Sequence, residues 1–358
     1  MTLDNFNNDN LSRLLMSQGT ELEELYRQAK QTKEQVVGNN VYYRGLIEYS
    51  NRCTKNCFYC GVRRGNKNVK RYTLTDDEVL EAALLAHRNN FGSLVLQSGE
   101  RNDKIFVEKI AFLLSQIRSA TQGELHVTLS LGEQTAETLK LWRRNGAHRY
   151  LLRIETSNRE LYQKMHPNDS LHSFDKRLDA LKLLQDCDYQ TGTGVMIGLP
   201  FQTISHLADD LLFIRNHNID MVGMGPYIEH EETHLYKYRH LLLPADERFE
   251  LSMKMVALLR IIMPDINIAA TTAMQTLHPK GREKALTVGA NVIMPNLTPL
   301  KYREGYQLYA NKPNLQEETE SHLANLKVSI ESAGCKVAIG EWGDPLHYFN
   351  RQQNIKKE

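Results

Sequence analysis

The sequence "EYSNRCTKNCFYCGVRRGNKNVKRY", residues 48–72, contains three of the five cysteines of the chain within eight positions. Cys53, Cys57 and Cys60 have the spacing Cys-x3-Cys-x2-Cys, and they directly follow a predicted strand, Tyr43–Ser50. The cysteines are therefore predicted to lie on a loop rather than on a helix. Thiolates at this spacing can surround one compact, soft metal centre.

The number of thiols separates two kinds of metal centre. Structural zinc sites use four protein ligands, usually in paired short spacings, whereas Cys187 and Cys335 are isolated and are typical of small buried side chains. In a cubane iron–sulfur cluster, three thiolates leave one of four irons open. An open iron can bind the amino and carboxylate groups of a small molecule. The pattern favours a cluster over its alternatives, a zinc site or a chance grouping.

Around this loop, β-rich segments alternate with longer amphipathic ones. Eight alternations over about 260 residues predict an α/β fold, a (β/α)8 TIM-type barrel, with a doubly wound open sheet as the alternative. Two N-terminal helices, around 11–16 and 21–35, precede the barrel. The predicted strands are Tyr43–Ser50, Ser93–Gln97, Leu125–Leu131, Arg149–Glu155, Thr191–Ile197, Met221–Gly225, Asn267–Thr271 and Asn291–Pro295.

Two of the helices between the strands have clear signals. Thr75 and Glu78 form a capping box ahead of a helix over 76–89. The segment 203–218 carries an apolar stripe at helical spacing. Three segments follow from the whole pattern: an N-terminal helical part (1–40), the barrel (41–312) and a C-terminal part (313–358). The last should form a helix over 317–333 and then a tail, "GEWGDPLHYF", that closes one end of the barrel.

Several predicted strands end in polar residues or glycine. In a parallel barrel these carboxyl ends share one rim, which is where active sites form. We therefore expect four segments to converge at the mouth that the cysteine loop covers: Gln97–Glu100, Ser130–Glu133, Arg153–Thr156 and Thr271–Thr272.

Composition limits the cellular setting and the partners. The chain has 358 residues, 41% of them hydrophobic and 24% charged, which is typical of a globular protein. A net charge of +1 gives no electrostatic argument for a nucleic-acid partner. No apolar run is long enough for a membrane span, and five unevenly spaced cysteines do not indicate a disulfide framework. These features predict a cytoplasmic protein.

The cysteine motif, with an aromatic residue, Tyr59, directly before Cys60, resembles the signature of the radical S-adenosylmethionine (SAM) superfamily. The resemblance extends over about residues 40–310 and is strongest to the HydE family of [FeFe]-hydrogenase maturases, with the biotin synthase and methylornithine synthase families as relatives. The matching segments are "VLQSGE", "VTLSLGE", "RYLLRIET", "GVMIGLPFQT", "ATTAM" and "GANVIMPNLTP…YREGYQLY". Among them, "LSLGE" and "ATTAM" favour HydE over those relatives.

The resemblance implies a cofactor set. Cys53, Cys57 and Cys60 would hold one 4Fe-4S cluster, whose open iron binds SAM and whose reduction cleaves SAM to a 5′-deoxyadenosyl radical. Glu155 would contact the ribose hydroxyls, and Arg177 the methionine carboxylate. The remaining SAM-binding positions would be Tyr59, Gln97, Ser98, Gly99, Glu100, Ser130 and Met196. Some HydE proteins carry a second cluster after the last barrel strand, but here that segment has no cysteine before Cys335, so none is expected.

The resemblance also implies a substrate cavity deeper in the barrel, suited to a small ligand with a carboxylate, such as an iron–carbonyl–cyanide–cysteine precursor. The matching positions are Arg44, Thr128, Ser130, Arg153, Thr271, Thr272, Met294 and Tyr306. Ile154 stands where some relatives have His. The implied partners are other hydrogenase maturases and an electron donor. Two rival functions remain: an amino-acid mutase like methylornithine synthase, and an iron–sulfur carrier without enzymatic activity.

A second sequence matches a metal-binding motif, but its predicted position does not favour a metal site. "HEETH", His230–His234, satisfies the H-E-x-x-H pattern of zinc proteases, which requires a helix that presents both histidines on one face. It follows the predicted strand "MVGMGPYIE", so we expect it on a loop without zinc.

Overall fold

The structure is a computed structural model that describes residues 6–313 and 315–355. Its strands, numbered in chain order, are all parallel to their sheet neighbours. They are β1 (Asn40–Ser50), β2 (Ser93–Ser98), β3 (His126–Ser130), β4 (Ala147–Leu151), β5 (Gln190–Thr193), β6 (Met196–Ile197), β7 (Met221–Val222), β8 (Gly225–Pro226), β9 (Asn267–Ile268), β10 (Val292–Ile293) and β11 (Lys336–Val337).

The helices surround these strands. They are α1 (Asn8–Leu15), α2 (Gly19–Val36), α3 (Asp76–Arg88), α4 (Lys104–Ala120), α5 (Ala136–Arg144), α6 (Arg159–Met165), α7 (Phe174–Asp186), α8 (Ile204–Asn216), α9 (Ala245–Ile262), α10 (Thr272–Leu277), α11 (Gly281–Val288), α12 (Leu300–Arg303), α13 (Thr319–Ser332) and α14 (Leu346–Ile355), with a 3-10 helix, His234–Leu241. Within the described residues, no helix combines the length and apolar character required to cross a membrane.

Eight strand positions close into a barrel. The order around it is β10, β1, β2, β3, β4, β5, β7, β9. A bridge between Ala269 and Val292 joins β9 to β10, and the amide of Ala270 donates to the carbonyl of Val292 at 2.9 Å. The short pair β6–β8 continues β5 and β7 toward the rim. This confirms the predicted (β/α)8 barrel and rules out the open doubly wound sheet.

Local sequence signals predicted the starts of the helices more accurately than the ends of the strands. The capping box of Thr75 and Glu78 is present at the start of α3, and Thr203 caps α8. The strand predicted over Arg149–Glu155 is shorter and shifted, because the chain leaves the sheet after Leu151. Its last residue, Glu155, has φ +68°, a left-handed conformation that a regular strand does not allow.

Alternation along the strands divides their side chains into two sets. On β1, Ile47 and Tyr49 point outward into the core between sheet and helices, while Leu46 and Glu48 point into the barrel. Register then sets the height of each inward residue: Glu48 is level with Gln97, and Gln97 with Ser130. The carboxyl ends of these strands form the upper rim.

The N- and C-terminal parts cover the barrel from outside and from below. Helix α1 packs against α8, and α2 against α9. The tail predicted to close one end lies at the amino-terminal end of the barrel. There Asn267 Nδ2 donates to Gly343 O at 2.7 Å, and the Trp342 ring stacks on His126 with 3.8 Å between centroids. The opposite, carboxyl-terminal end carries the cysteine loop.

Candidate active site

The cysteine loop begins directly after β1. Cys53, Cys57 and Cys60 are free thiols and are half-buried. The loop is tied to segments far away in sequence, so its shape is fixed by the barrel rather than by the loop alone. Three backbone hydrogen bonds hold it: Thr54 N to Glu100 O (2.9 Å), Phe58 N to Met165 O (2.9 Å) and Gly61 N to Leu308 O (2.9 Å).

The thiols lie close enough to affect each other's ionisation. Burial is the main cause that raises the pKa of Cys57, to about 12, and the neighbouring Cys53 raises it further. Burial likewise raises the pKa of Cys60, followed by Cys57 and Cys53. Without a metal these thiols are protonated, so a metal centre must displace their protons on binding. Tyr59, between Cys57 and Cys60 in the sequence, lies near the Cys57 thiol and acts to lower its pKa.

Gly99 lets the end of β2 approach the cysteine loop closely. Its amide donates to Ser50 O at 2.8 Å. A Cβ atom at this position would lie 2.5 Å from Arg52 O and 2.7 Å from the Cys53 Cβ, closer than real Cβ contacts come. The segment Gln97–Glu100 is therefore packed directly against the first cysteine, as the sequence predicts.

Four charged side chains form a network beneath the loop. Lys55 Nζ lies 2.9 Å from Glu133 Oε2 and 3.2 Å from Glu100 Oε1. Arg177 of α7 closes the network, with Nε 2.6 Å from Glu133 Oε1 and Nη2 3.7 Å from Glu100 Oε2. Each side chain is less than one-fifth exposed. Two cations and two carboxylates thus neutralise each other at the rim.

The carboxylates of Glu100 and Glu133 differ in pKa because their contacts differ. Burial raises the pKa of Glu100 above its ordinary value and outweighs the effects of Arg177 and Lys55. For Glu133 burial also acts to raise the pKa, but Arg177 and Lys55, both at shorter distances, hold it below its ordinary value. Glu100 is therefore the less satisfied carboxylate and the better acceptor for an additional ammonium group.

Arg153 and Glu155 form an ion pair where the chain leaves β4. Arg153 Nη2 lies 2.9 Å from Glu155 Oε2, and Nε lies 3.0 Å from both carboxylate oxygens. The Glu155 amide donates to Gly194 O at 2.9 Å, which fixes its left-handed backbone. Backbone strain of this kind is concentrated at functional sites. Tyr59 lies near both Glu155 and Arg177, so this pair faces the cysteine loop.

The other predicted cavity residues line the interior below this rim. Tyr306 is buried, with its hydroxyl near the Gln97 side chain, and Thr272 Oγ1 lies 2.6 Å from Tyr309 Oη. Thr128 Oγ1 is buried without a hydrogen-bond partner, which suits a polar ligand. The remaining inward positions are Ser130, Thr271 and Met294, each half-buried, and Met196 and Ser98 lie at the upper rim.

The structure does not bring Arg44 to this cavity. Arg44 is level with Ser93, the first residue of β2, and therefore lies at the amino-terminal end of the barrel. Its Nη2 donates to Gly343 O at 3.1 Å, and its Nη1 contacts Met221 Sδ at 2.9 Å. These contacts, with the closing tail and the start of β7, lie at the opposite end of the barrel from the cysteines.

Lys55 and Tyr309 are candidate site residues that the sequence did not predict, and Glu133 was predicted only as the end of the converging segment Ser130–Glu133. Lys55 lies between Cys53 and Cys57, and Glu133 ends the "LSLGE" segment, so their positions beside known motifs were the available signal. The motif at His230–His234 lies in a turn followed by the 3-10 helix, not on an α-helix that aligns both histidines.

Among the described residues, no three His, Cys, Asp or Glu side chains surround a single point as one metal ion requires. The same is true of the three cysteines of the loop. Its three thiols need not converge on one ion to hold a four-iron cluster, since each ligand then binds a different iron.

Comparison with known proteins agrees with this geometry. A family model described as the radical SAM superfamily matches residues 47–214. The chain is 45% identical over 330 residues to the [FeFe] hydrogenase maturase subunit HydE of Thermotoga maritima, with 91% of this chain and 90% of that protein covered. Identity to the 3-methylornithine synthase of Methanosarcina acetivorans is 26%, over 92% and 90% of the two chains.

Solved structures show the same fold. Methylornithine synthase (PylB) superposes with a TM-score of 0.79 at 25% identity, covering 94% of this chain and 96% of that one. HydG, a maturase of the [FeFe]-hydrogenase, has a TM-score of 0.74 at 20% identity, covering 92% and 72%. From the family model and the extent of the match to HydE, the chain belongs to the radical SAM superfamily and, within it, to the HydE family of [FeFe]-hydrogenase maturases.

Proposed function

We propose that this protein is a radical SAM enzyme that acts in the assembly of the iron centre of [FeFe]-hydrogenase. The observation that carries the proposal is the loop of three free thiols at the carboxyl rim of the barrel, in a chain 45% identical to HydE over 91% of its length. The lower identity to methylornithine synthase, 26%, makes an amino-acid mutase the second candidate.

The residues at the rim fit the cofactors that the family implies, a 4Fe-4S cluster and SAM. Cys53, Cys57 and Cys60 would hold the cluster, because they are the three thiols of one loop and none forms a disulfide. When bound, the cluster supplies one electron that cleaves the SAM sulfonium to a 5′-deoxyadenosyl radical. We propose one cluster per chain, since Cys187 follows α7 and Cys335 precedes β11, both away from the loop.

The protein's part is to orient SAM and exclude water from it. Glu100 would accept from the methionine ammonium, because it is the less satisfied carboxylate of the network. Arg177 would bind the methionine carboxylate while it keeps Glu133 paired. Glu155 would contact the ribose. The other proposed contacts are Tyr59, Gln97, Ser98, Gly99, Ser130 and Met196.

The proposed substrate bears a carboxylate and lies below SAM. Among the described residues, two cations border this space: Arg153, near the rim, and Lys312, which pairs with Glu48 and lies over the Tyr306 ring. Arg44 contacts the closing tail instead. Polar orientation would come from hydroxyl groups on opposite walls. The proposed contacts are Thr128, Ser130, Arg153, Thr271, Thr272, Met294 and Tyr306, and an iron–carbonyl–cyanide–cysteine precursor meets their chemistry.

The first test is SAM cleavage. The protein, purified without oxygen and reconstituted with iron and sulfide, should release 5′-deoxyadenosine when it is reduced in the presence of SAM. Mass spectrometry measures the product, and Cys57→Ser, which should lose the brown absorbance of the cluster, is the control. Absence of product from the wild-type protein would instead support an iron–sulfur carrier.

The second test separates the maturase from the mutase. Deleting the gene in a host that makes an [FeFe]-hydrogenase should abolish hydrogenase activity, and the wild-type gene, but not Cys57→Ser, should restore it. Unchanged hydrogenase activity, together with rearrangement of a free amino acid by the purified protein, would favour the mutase.

A further inference from the structure

The cysteine loop lies in the most basic stretch of the chain. Residues 51–75 contain seven Lys or Arg and no Asp or Glu, whereas the whole chain has a net charge of only +1. Some of these cations are structural: Lys55 belongs to the buried network, and Arg71 donates to four backbone carbonyls of the loop. Arg63 is structural as well, because it donates to the Glu232 carbonyl. The other four cations need a different explanation.

Four of the seven cations are exposed: Arg52, Arg64, Lys67 and Lys70, here called the basic collar. Their side chains form no ion pair and no hydrogen bond with any other described residue. Hydrogen bonds within the loop nonetheless fix the backbone around Arg64. Arg64 N donates to Lys55 O at 2.8 Å, and the Arg71 side chain donates to Arg63 O at 2.6 Å. Exposed like charges on a fixed backbone repel each other and therefore favour an anionic partner.

The neighbouring 3-10 helix extends this surface. It packs on the cysteine loop, with Leu235 N donating to Phe58 O at 3.0 Å and the rings of Phe58 and His234 4.8 Å apart. Its exposed Lys237 and Arg239 contact tyrosine rings and form no ion pair among the described residues. Glu231 and Glu232 are the acidic residues at this edge.

We infer that the basic collar is the docking surface for an acidic one-electron donor protein. The inference rests on the proposed function, which places the redox centre at Cys53, Cys57 and Cys60. Docking here brings the donor close to that centre, since Arg64 lies four residues after Cys60 and is at most about 14 Å away along the chain. One electron leaves the donor, which is oxidised, and the centre held by the cysteines is reduced. No covalent bond forms between the proteins.

The surface does not suit a nucleic acid equally well. Proteins that bind single strands combine basic residues with exposed aromatic rings on which bases stack. In the stretch 51–75 and the 3-10 helix, the phenylalanine and tyrosine rings are those of Phe58, Tyr59, Tyr72, Tyr236 and Tyr238, and all five are half-buried or buried. Charge without stacking surface favours an acidic protein.

The first experiment measures binding. In Arg64→Glu/Lys67→Glu/Lys70→Glu, affinity for reduced flavodoxin and for a reduced bacterial ferredoxin is measured by calorimetry on the reconstituted enzyme. The matched control is Lys140→Glu/Lys182→Glu/Lys327→Glu, which makes the same charge change at exposed lysines on α5, α7 and α13. We expect the collar variant to lose about tenfold or more in affinity for at least one donor, and the control to stay near wild type.

The second experiment measures electron delivery. With the same donor, the collar variant should show a raised KM for 5′-deoxyadenosine release, whereas release driven by dithionite and methyl viologen should match wild type. Absence of product with viologen in the wild type would contradict the proposed function itself. If viologen works and the collar variant uses both donors as well as the control does, the docking surface is wrong.

A measurement on the wild type alone keeps the inference testable should the variant lose its cluster. Donor affinity should fall as salt rises, because exposed charges are screened. Salt-independent binding of both donors, or tighter collar-dependent binding of a single-stranded RNA that competes with them, would overturn the assignment.

Discussion

At the scale of single residues, Arg177 combines a structural role at the rim with a proposed role in binding. It is mostly buried, donates to Glu133 and to the Arg153 carbonyl, and lies near Glu100. A binding role for Arg177 must therefore be compatible with a structural one. Its fork of five donors makes this possible, since one edge can hold Glu133 while another faces a ligand carboxylate.

Replacing this residue should affect both roles. Arg177→Met leaves two buried carboxylates short of a cation, so the free energy of unfolding should fall by about 3–5 kcal/mol in urea denaturation. SAM affinity, measured by calorimetry, should weaken while the iron content stays the same. Arg159→Met is the control, because Arg159 pairs with Asp175 at an exposed position nearby and should change neither quantity appreciably. Unchanged SAM affinity in Arg177→Met would remove the proposed binding role.

Asp210 is a buried acid that should give stability a measurable pH dependence. Its Oδ1 accepts from Ser157 N at 2.6 Å and from Ser157 Oγ at 2.7 Å, just after Glu155. Burial raises its pKa from 3.8 to about 7. Between these values the folded protein keeps a proton that the unfolded chain has lost. The contribution of Asp210 to the free energy of unfolding should therefore decrease as pH rises from about 4 to about 7.

Asp210→Asn keeps the acceptor and removes the titration. Relative to wild type, the variant should gain stability as pH rises across that window, by an amount on the order of 3 kcal/mol. Denaturation curves at several pH values measure the difference between the two proteins. A difference that does not change with pH would show that Asp210 has an ordinary pKa in the folded state.

At the scale of elements, the C-terminal tail closes the amino-terminal end of the barrel. Asp344 forms an ion pair with Arg149, whose side chain is fully buried and also donates to Trp342 O at 2.7 Å. Burial acts to raise the pKa of Asp344, but the neighbouring His126 ring, 3.7 Å away, and the charge of Arg149 outweigh it and lower the pKa. The tail thus supplies the counter-charge for a cation inside the barrel.

Removing that counter-charge should destabilise the fold but spare the site. Asp344→Asn leaves Arg149 buried without a carboxylate, so the free energy of unfolding should fall by about 3–5 kcal/mol. Because the pKa of Asp344 is lowered, the wild type should lose the same contribution only as pH falls below about 4. The control is Asp246→Asn, at an exposed position in α9.

The SAM concentration that gives half-maximal cleavage should be the same for Asp344→Asn and wild type, since the tail lies at the opposite end of the barrel. A large increase in that concentration with no loss of stability would contradict a purely structural role for the tail.

At the scale of the whole molecule, the two ends of the barrel differ: the amino-terminal end is closed by charge pairing, and the carboxyl end carries the proposed active site. The five cysteines follow this division, with three on the upper loop and two elsewhere. Reconstituted protein should therefore bind about four iron atoms per chain, as one cluster.

Substitution of single cysteines tests this count. Cys57→Ser should lose the iron measured by colorimetric assay, whereas Cys187→Ser and Cys335→Ser should keep it. About eight iron atoms per wild-type chain, or loss of iron in either control, would indicate a second cluster.

The sequence by itself determined the barrel and the cysteine loop, because both depend on local patterns: apolar periodicity, capping residues and the spacing of three thiols. The tertiary structure decided which charges meet. Lys55 and Glu133 are 78 residues apart, and Glu133 and Arg177 are 44 apart, so no local pattern pairs them. It also decided that Arg44 contacts the closing tail, because the height of a strand residue in a barrel depends on its register with neighbouring strands, and that register exists only once the sheet has closed.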